Sequence, residues 1–241
     1  MAKAFIGVSG WQYPDFEERF YPENVKKKDQ LTLYAQEFPT VEINNTFYHL
    51  PRAATVENWR KRVPEGFIFS VKANRYITHM KNLMSPEETL PEFFERIELL
   101  EERLGPILYQ LPPRWQIDLD RLEKFLKHLP EGHRHTIEFR NRTWHREEIY
   151  DLLRQYGIAI CFFDFNYHQS PIFTTADFVY IRLHCPGQAY RDPYGLEALY
   201  CWVNRIRGWV AQGKDVYCYF DNTFRDHAWE NAKSLLEMLG V

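Results

Sequence analysis

Three observations predict a single-domain α/β fold, a (β/α)8 TIM barrel. Eight short apolar runs recur along the chain, at residues 4–10, 40–44, 67–73, 107–111, 135–139, 158–162, 178–183 and 216–220. Segments with helical spacing of apolar residues fill most of the gaps between them. No Pro/Gly/Ser-rich linker divides the 241 residues, which match the roughly 250 that one such barrel takes. A doubly wound open sheet is the competing architecture. Its first strand–helix turn, Gly7-Val8-Ser9-Gly10-Trp11, lacks the GxGxxG that lets a dinucleotide pyrophosphate approach the backbone.

Each unit has its own signature. The first run leads into an aromatic loop, Trp11-Gln12-Tyr13-Pro14-Asp15-Phe16, and a helix near 30–38. The second precedes a helix near 54–62. The third continues through a loop with Arg75 and His79 to a helix over 91–104, where Phe94, Ile97, Leu100 and Leu104 share a face. After the fourth, Asp118 is placed to cap a helix over 119–128. The fifth leads to a helix near 147–156. The link after the sixth is poorly helical and holds Pro171, so a short turn is expected there. The seventh has the clearest helix, with Leu196, Leu199, Val203, Ile206 and Val210 in one stripe against the barrel. A helix over 226–239 closes the chain.

Composition narrows the function. Apolar residues make up 45% of the chain, ample for a large core, and the net charge of -3 argues against a generally basic nucleic-acid-coating protein. A local basic patch stays compatible with that balance. Cys161, Cys185, Cys201 and Cys218 lack CxxC spacing and read as reduced, mostly structural thiols. No stretch approaches the ~20 apolar residues that span a bilayer. Residues 1–8 run directly into a strand without a signal peptide's long apolar region, so a cytoplasmic location away from membranes is expected.

In a barrel of this kind the functional residues sit at the C-terminal ends of the strands. Side chains two apart on a strand share a face, which aligns Glu42 with Asn44 and Thr46, Ser70 with Lys72 and Asn74, Thr136 with Glu138 and Arg140, and Tyr180 with Arg182 and His184. Strand four contributes Gln110, strand six Asp164, and strand eight Asp221 or Asn222. Two arginines and a lysine on separate strands suit a phosphate or carboxylate. The leading expectation is a phosphate-containing ligand, a nucleotide or nucleic acid, bound by Lys72, Arg140 and Arg182. Arg75 and Asp164 also flank it, and Asn44, Gln110 and Asn222 supply hydrogen bonds. Glu42 and Glu138 then position the cations or move protons, and His184, with an ordinary pKa of about 6.5, is the candidate acid or base for hydrolysis. On this reading, loss of Arg182 removes binding at modest cost in stability.

Other readings compete. The mixed charges also describe a buried ion-pair network that fills the upper barrel. The same pocket serves equally as a non-catalytic binding module. A metal-dependent isomerase or phosphodiesterase is the third reading, drawing on Glu42, Glu138, Asp164, His184 and Asp221, though only one histidine sits at a strand end. The run from Tyr219 to Phe224 enters the last helix where many barrels seat a phosphate, and Asp226 competes as that helix's cap. Trp11, Tyr13, Phe47, Tyr48, Trp115, Trp144, Phe165 and Tyr190 crowd the mouth, as a roof or as stacking surfaces for bases. No organic cofactor or protein partner is indicated.

Several of these segments resemble the domain of unknown function 72 family. They are Gly7 to Tyr13, Val41 to Tyr48, Phe69 to His79, Gln110-Leu111-Pro112-Pro113, Ile137-Glu138-Phe139-Arg140 with Trp144, Arg182-Leu183-His184, and Tyr219-Phe220-Asp221-Asn222 with Asn231-Ala232. The resemblance spans nearly the whole chain and implies the barrel fold, without naming a reaction. Cys185-Pro186 stands where the family commonly has glycine, and Asp221 where it commonly has asparagine.

Overall fold

Alternation along the strands decides the architecture. The computed structural model describes residues 1–187 and 192–240. In it, eight parallel strands pair in sequence and close: β1 (Ala4–Ser9), β2 (Thr40–Ile43), β3 (Ile68–Lys72), β4 (Leu104–Gln110), β5 (His135–Glu138), β6 (Ala159–Phe165), β7 (Phe178–Leu183) and β8 (Asp215–Phe220). β8 returns to β1 through the register Ala4 opposite Val216 to Val8 opposite Phe220. Helices cover the outside, as the eight apolar runs require: a strand buried on both faces reads as continuous hydrophobic sequence.

The outward residues of the strands join the main core with the helices. On that side Val8, Val41, Val71, Tyr109, Phe139 and Phe220 are fully buried. The last helix, His227–Leu239, presses Trp229 among Phe16, Phe20, Tyr34 and Phe38 at centroid distances of 4.5–5.6 Å. Truncating such a ring costs about 3–5 kcal/mol. Tyr34 also pins the first two strands together, its hydroxyl accepting from Val8 N–H and donating to the Thr40 carbonyl. A Cβ at Gly7 comes within 2.2 Å of that carbonyl oxygen, so only glycine fits there.

Three stretches depart from the sequence expectation. The helix expected over 91–104 ends at Ile97 and tightens into a 3-10 turn, Glu98–Arg103. Leu104 therefore opens β4 instead of extending a helical stripe. Leu196, at the first position of its helix, is 65% exposed, while Leu199, Val203 and Ile206 are buried. After β6 the chain turns through left-handed Asn166 and Tyr167 into a short antiparallel strand, His168–Gln169. It then runs back outside β6, where Ser170 and Thr175 hydrogen-bond to the backbone of Phe163, Ile158 and Ile160. A hairpin and strap thus replace the sixth helix. At the other strand ends the expected caps differ: Asp118 accepts from Arg121 N–H, whereas Asp226 pairs with Arg19 and makes no cap bond.

Candidate functional site

The lumen fills in layers. At the bottom Phe5 and Tyr217 stack at 4.9 Å, with Phe178 edge-on to Tyr217. Above them the Tyr219 hydroxyl lies 2.7 Å from both Thr40 Oγ1 and Ser70 Oγ. Alternation then brings charged side chains to the top: Glu42 from β2, Lys72 from β3, Glu138 from β5, Arg182 from β7 and Asp221 just after β8.

Arg182 is the hub. Its Nε and Nη2 donate to both oxygens of Glu42 at 2.9–3.2 Å, Nη1 to Glu138 Oε2 at 3.0 Å, and Nη2 to Asp221 Oδ2 at 3.1 Å. Nη1 also reaches His184 Nε2 at 3.3 Å. A guanidinium has five N–H donors, and here each has a protein acceptor. Ser9 Oγ and the Tyr180 hydroxyl complete Glu42 at 2.7 Å each. The Arg182 side chain is only 1% exposed. Arg182 thus organises the carboxylates, and in this arrangement none of its donors is left for an anion.

Arg140 is differently placed. Its Nε pairs with Glu138, its Nη2 lies 2.6 Å from His184 Nε2, and its guanidinium sits between Phe163 and Phe165 at 4.5 and 4.7 Å. Both Nη1–H groups have no hydrogen-bond partner among the described residues. Arg140 lines a cavity of about 350 Å³ with Gln110, Pro113, Phe163, Phe165, Asn166 and His168. Burial pushes the Glu138 carboxyl up, but Arg140 and Arg182 overcome that and hold it well below the usual carboxylate range. Burial raises the Asp221 carboxyl, against the pull of Arg182.

His184 does not fit the acid–base expectation. Burial, then Arg182 and Arg140, lower its pKa well below the ordinary value. Two guanidinium N–H groups point at Nε2, which accepts only when unprotonated, so the neutral ring carries its proton on Nδ1, 2.9 Å from Asp221 Oδ2. Lys72, also in the lumen, is pulled down to about 8 by burial and by Arg182. Its Nζ lies 4.4 Å over the Phe47 ring and has no hydrogen bond or ion pair among the described residues.

The remaining candidates lie at the edge of the cluster or outside it. Asn44 lines a second cavity of about 250 Å³ with Gly10, Trp11, Gln12, Tyr13 and Tyr48, and its buried Oδ1 lacks a partner among the described residues. Gly10 turns there with φ +95°, which brings the Tyr13 hydroxyl back to the Ser9 carbonyl. Arg75 is exposed on the rim. Asp164 belongs to the outer face: Cys161 and Phe163 point inward, so Asp164 meets Tyr194, and burial raises its pKa to about 6. Asn222 likewise points outward, donating to the Asp192 carbonyl and to Asn231 Oδ1. It fastens the end of β8 to the last helix. Of the roofing aromatics Trp11 and Trp144 are buried, and Tyr190 lies outside the described residues. Among the described residues no group of three or more His, Cys, Asp or Glu side chains is arranged to hold a metal ion.

The family model described as protein of unknown function DUF72 matches residues 5–241. The chain belongs to this family. A curated relative, the UPF0759 protein YunF of Bacillus subtilis, is 25% identical over 98% of this chain and 95% of its own. A DUF72 protein of Thermotoga maritima superposes with a TM-score of 0.90 at 28% identity, covering 99% of this chain and 100% of that one. A DUF72 protein of Enterococcus faecalis gives a TM-score of 0.83 at 20% identity, covering 100% of this chain and 99% of that one, a likeness of fold.

Within this DUF72 barrel, sequence reasoning named Asp221 only as the alternative to Asn222 and as a candidate metal ligand, aligned Tyr180 with Arg182 without giving it a role, and passed over Ser9. Their signal was present. Asp221 continues the inward series Tyr217, Tyr219, and Tyr180 and Ser9 are the inward neighbours of Arg182 and Gly7.

Proposed function

We propose that the mouth of this barrel binds a phosphate-containing ligand between Lys72 and Arg140, with a nucleotide as the leading case. One observation carries the reading: these lumen cations keep donors that no protein acceptor engages among the described residues, Lys72 at Nζ and Arg140 at Nη1. Arg182, Glu42 and Glu138 hold Arg140 and the lumen wall in place, and Gln110 and Asn44 offer amides at the two flanking cavities. A planar guanidinium clamped between two rings presents a fixed edge to phosphate oxygens.

If the ligand is hydrolysed, Lys72 is the group suited to transfer the proton, because its amine titrates close to neutrality. The non-catalytic binder is the second reading, and the same residues serve it. Metal-dependent chemistry is less favoured by the donor set, since the lumen carboxylates already face guanidinium N–H groups.

Thermal-shift measurements against inorganic phosphate, nucleotides and sugar phosphates, with and without divalent ions, test the reading. Ligand at 100 times its Kd adds about 2.7 kcal/mol of stability. The shift is expected in the wild type and lost in Lys72→Ala and in Arg140→Ala. Lys72→Arg keeps the charge, so retained binding with lost phosphate release marks hydrolysis. A shift that survives both alanine variants contradicts the site.

A further inference from the structure

A second set of cations lies on the rim, outside the lumen cluster. The chain is acidic overall, yet the loops that follow β2, β3, β4, β5 and β6 contain no Asp or Glu over 43–56, 73–86, 111–117, 139–146 and 165–170. Four exposed arginines stand on them: Arg52, Arg75, Arg114 and Arg142. None of these has an ion-pair partner among the described residues, nor does Lys81. Arg146 faces Glu148 at 3.6 Å. Elsewhere on the surface ion-paired cations, as in Arg62–Asp29, Lys127–Glu123, Arg154–Asp151 and Lys233–Glu37, stand beside exposed ones without an ion pair among the described residues, such as Lys26, Lys28, Lys61 and Lys124. It is the acid-free loops that set this rim apart. The loops after β1 and β8 carry Asp15, Glu17, Glu18 and Asp226. Positive charge with no acidic residue beside it therefore forms a crescent over four successive loops, those after β2 to β5, continued by the loop after β6, which carries neither Lys or Arg nor Asp or Glu.

Aromatic rings are interleaved with these charges. Tyr48 is 59% exposed, Tyr76 44% and Tyr167 80%, each on a different loop of the crescent. Tyr48 is held edge-on by Phe47 at 5.1 Å, and Lys81 Nζ lies 5.6 Å over Tyr76. Exposed rings between unpaired arginines match a ligand with alternating flat faces and charges. A polyphosphate or an acidic peptide uses the charges and leaves the rings idle, and a duplex hides its base faces.

We propose that this crescent docks single-stranded nucleic acid, with phosphates over the four exposed arginines and bases stacked on Tyr48, Tyr76 and Tyr167. The proposal deepens the phosphate reading of the mouth: it names the polymer that delivers a phosphate to Lys72 and Arg140. It rests on that reading for what happens in the lumen, and on the rim residues for affinity.

Fluorescence anisotropy with labelled oligo-dT and oligo-rU of about 15 nucleotides tests it. If all five unpaired rim cations meet phosphates, log K falls against log salt with a slope of about -3.5, a loss of about a hundredfold between about 50 and 200 mM. The triple variant Arg52→Ala/Arg114→Ala/Arg142→Ala is expected to bind at least about tenfold more weakly, with a slope shallower by about 2. Its thermal stability and its thermal shift by inorganic phosphate stay at wild-type values. Tyr48→Ala/Tyr167→Ala weakens binding at least about thirtyfold without changing the slope. No binding at low salt, or unchanged binding by the triple variant, overturns the proposal. Equal binding of a duplex, of poly-glutamate or of phosphatidylserine vesicles overturns it in favour of a general anion surface. Oligonucleotide binding that persists in Lys72→Ala/Arg140→Ala supports the rim. Should inorganic phosphate also fail to shift the wild type, the mouth reading alone falls.

Discussion

Arg182→Met keeps most of the side chain's volume while deleting its guanidinium. In the wild type that group serves Glu42, Glu138 and Asp221 at 2.9–3.2 Å, with 1% of the side chain exposed. Removing one partner of a buried ion pair strands the other, at a cost of about 3–5 kcal/mol. Three carboxylates share the loss here, and of them only Glu138 keeps a direct ion pair with another cation, Arg140. A domain of ordinary stability holds about 5–15 kcal/mol, so the variant stays folded but visibly weakened. Urea unfolding followed by tryptophan fluorescence near neutral pH measures the difference. Adding Glu42→Gln removes one stranded charge, so the double variant should lose about 1–3 kcal/mol less than the sum of the two single losses. A loss below about 1 kcal/mol in Arg182→Met, the scale of an exposed pair, would refute the reasoning. Strict additivity would refute it as well.

Three further outcomes follow from the same geometry. Lys72 titrates at about 8 when folded against 10.5 in its ordinary state, so the unfolded chain binds more protons between those values. Stability therefore rises with pH across that window while anion affinity falls, and Lys72→Met flattens both trends; carbon-13 NMR of the methylated lysines reads the titration itself. Glu138 has the opposite sign. Its carboxyl is held below its ordinary 4.5, so its contribution is complete above that value and is lost on acidification; Glu138→Gln should be less stable near neutrality and show a shallower acid limb in urea titrations. Asn222→Ala breaks the tie from β8 to Asn231 and Asp192, which should cost about 1–3 kcal/mol in unfolding experiments and leave the phosphate thermal shift unchanged.

The barrel was legible because strands buried on both faces read as apolar runs, and the six runs that become β1, β2, β3, β5, β7 and β8 match their strands to within a residue at each end. Period-two alternation also placed Glu42, Lys72, Glu138, Arg140, Arg182 and His184 together at the top of the lumen. It was the same rule, not followed one step further, that misplaced Asp164 and Asn222. Each is one position out of phase with Phe163 and Asp221, and a single step moves a strand residue to the opposite face. What sequence does not carry is the accounting of donors. Arg182 and Arg140 look alike on paper, and only distances reveal that one spends every N–H while the other keeps two at Nη1. The environment of His184 was equally illegible, since its basicity is set by burial and by two guanidinium groups from β7 and the end of β5. The missing sixth helix was readable in Pro171, but the strap that replaces it depends on Ser170 and Thr175 hydrogen bonds that no local pattern announces.

The most direct test of the central claim is a crystal structure of the protein with the phosphate-bearing ligand that the thermal-shift screen selects. The account predicts a phosphate group within hydrogen-bond distance of Lys72 Nζ and Arg140 Nη1, with the bonds from Arg182 to Glu42, Glu138 and Asp221 unchanged. A phosphate seated on the N-terminus of helix His227–Leu239, or an Arg182 drawn away from Glu42 to hold the ligand, contradicts it.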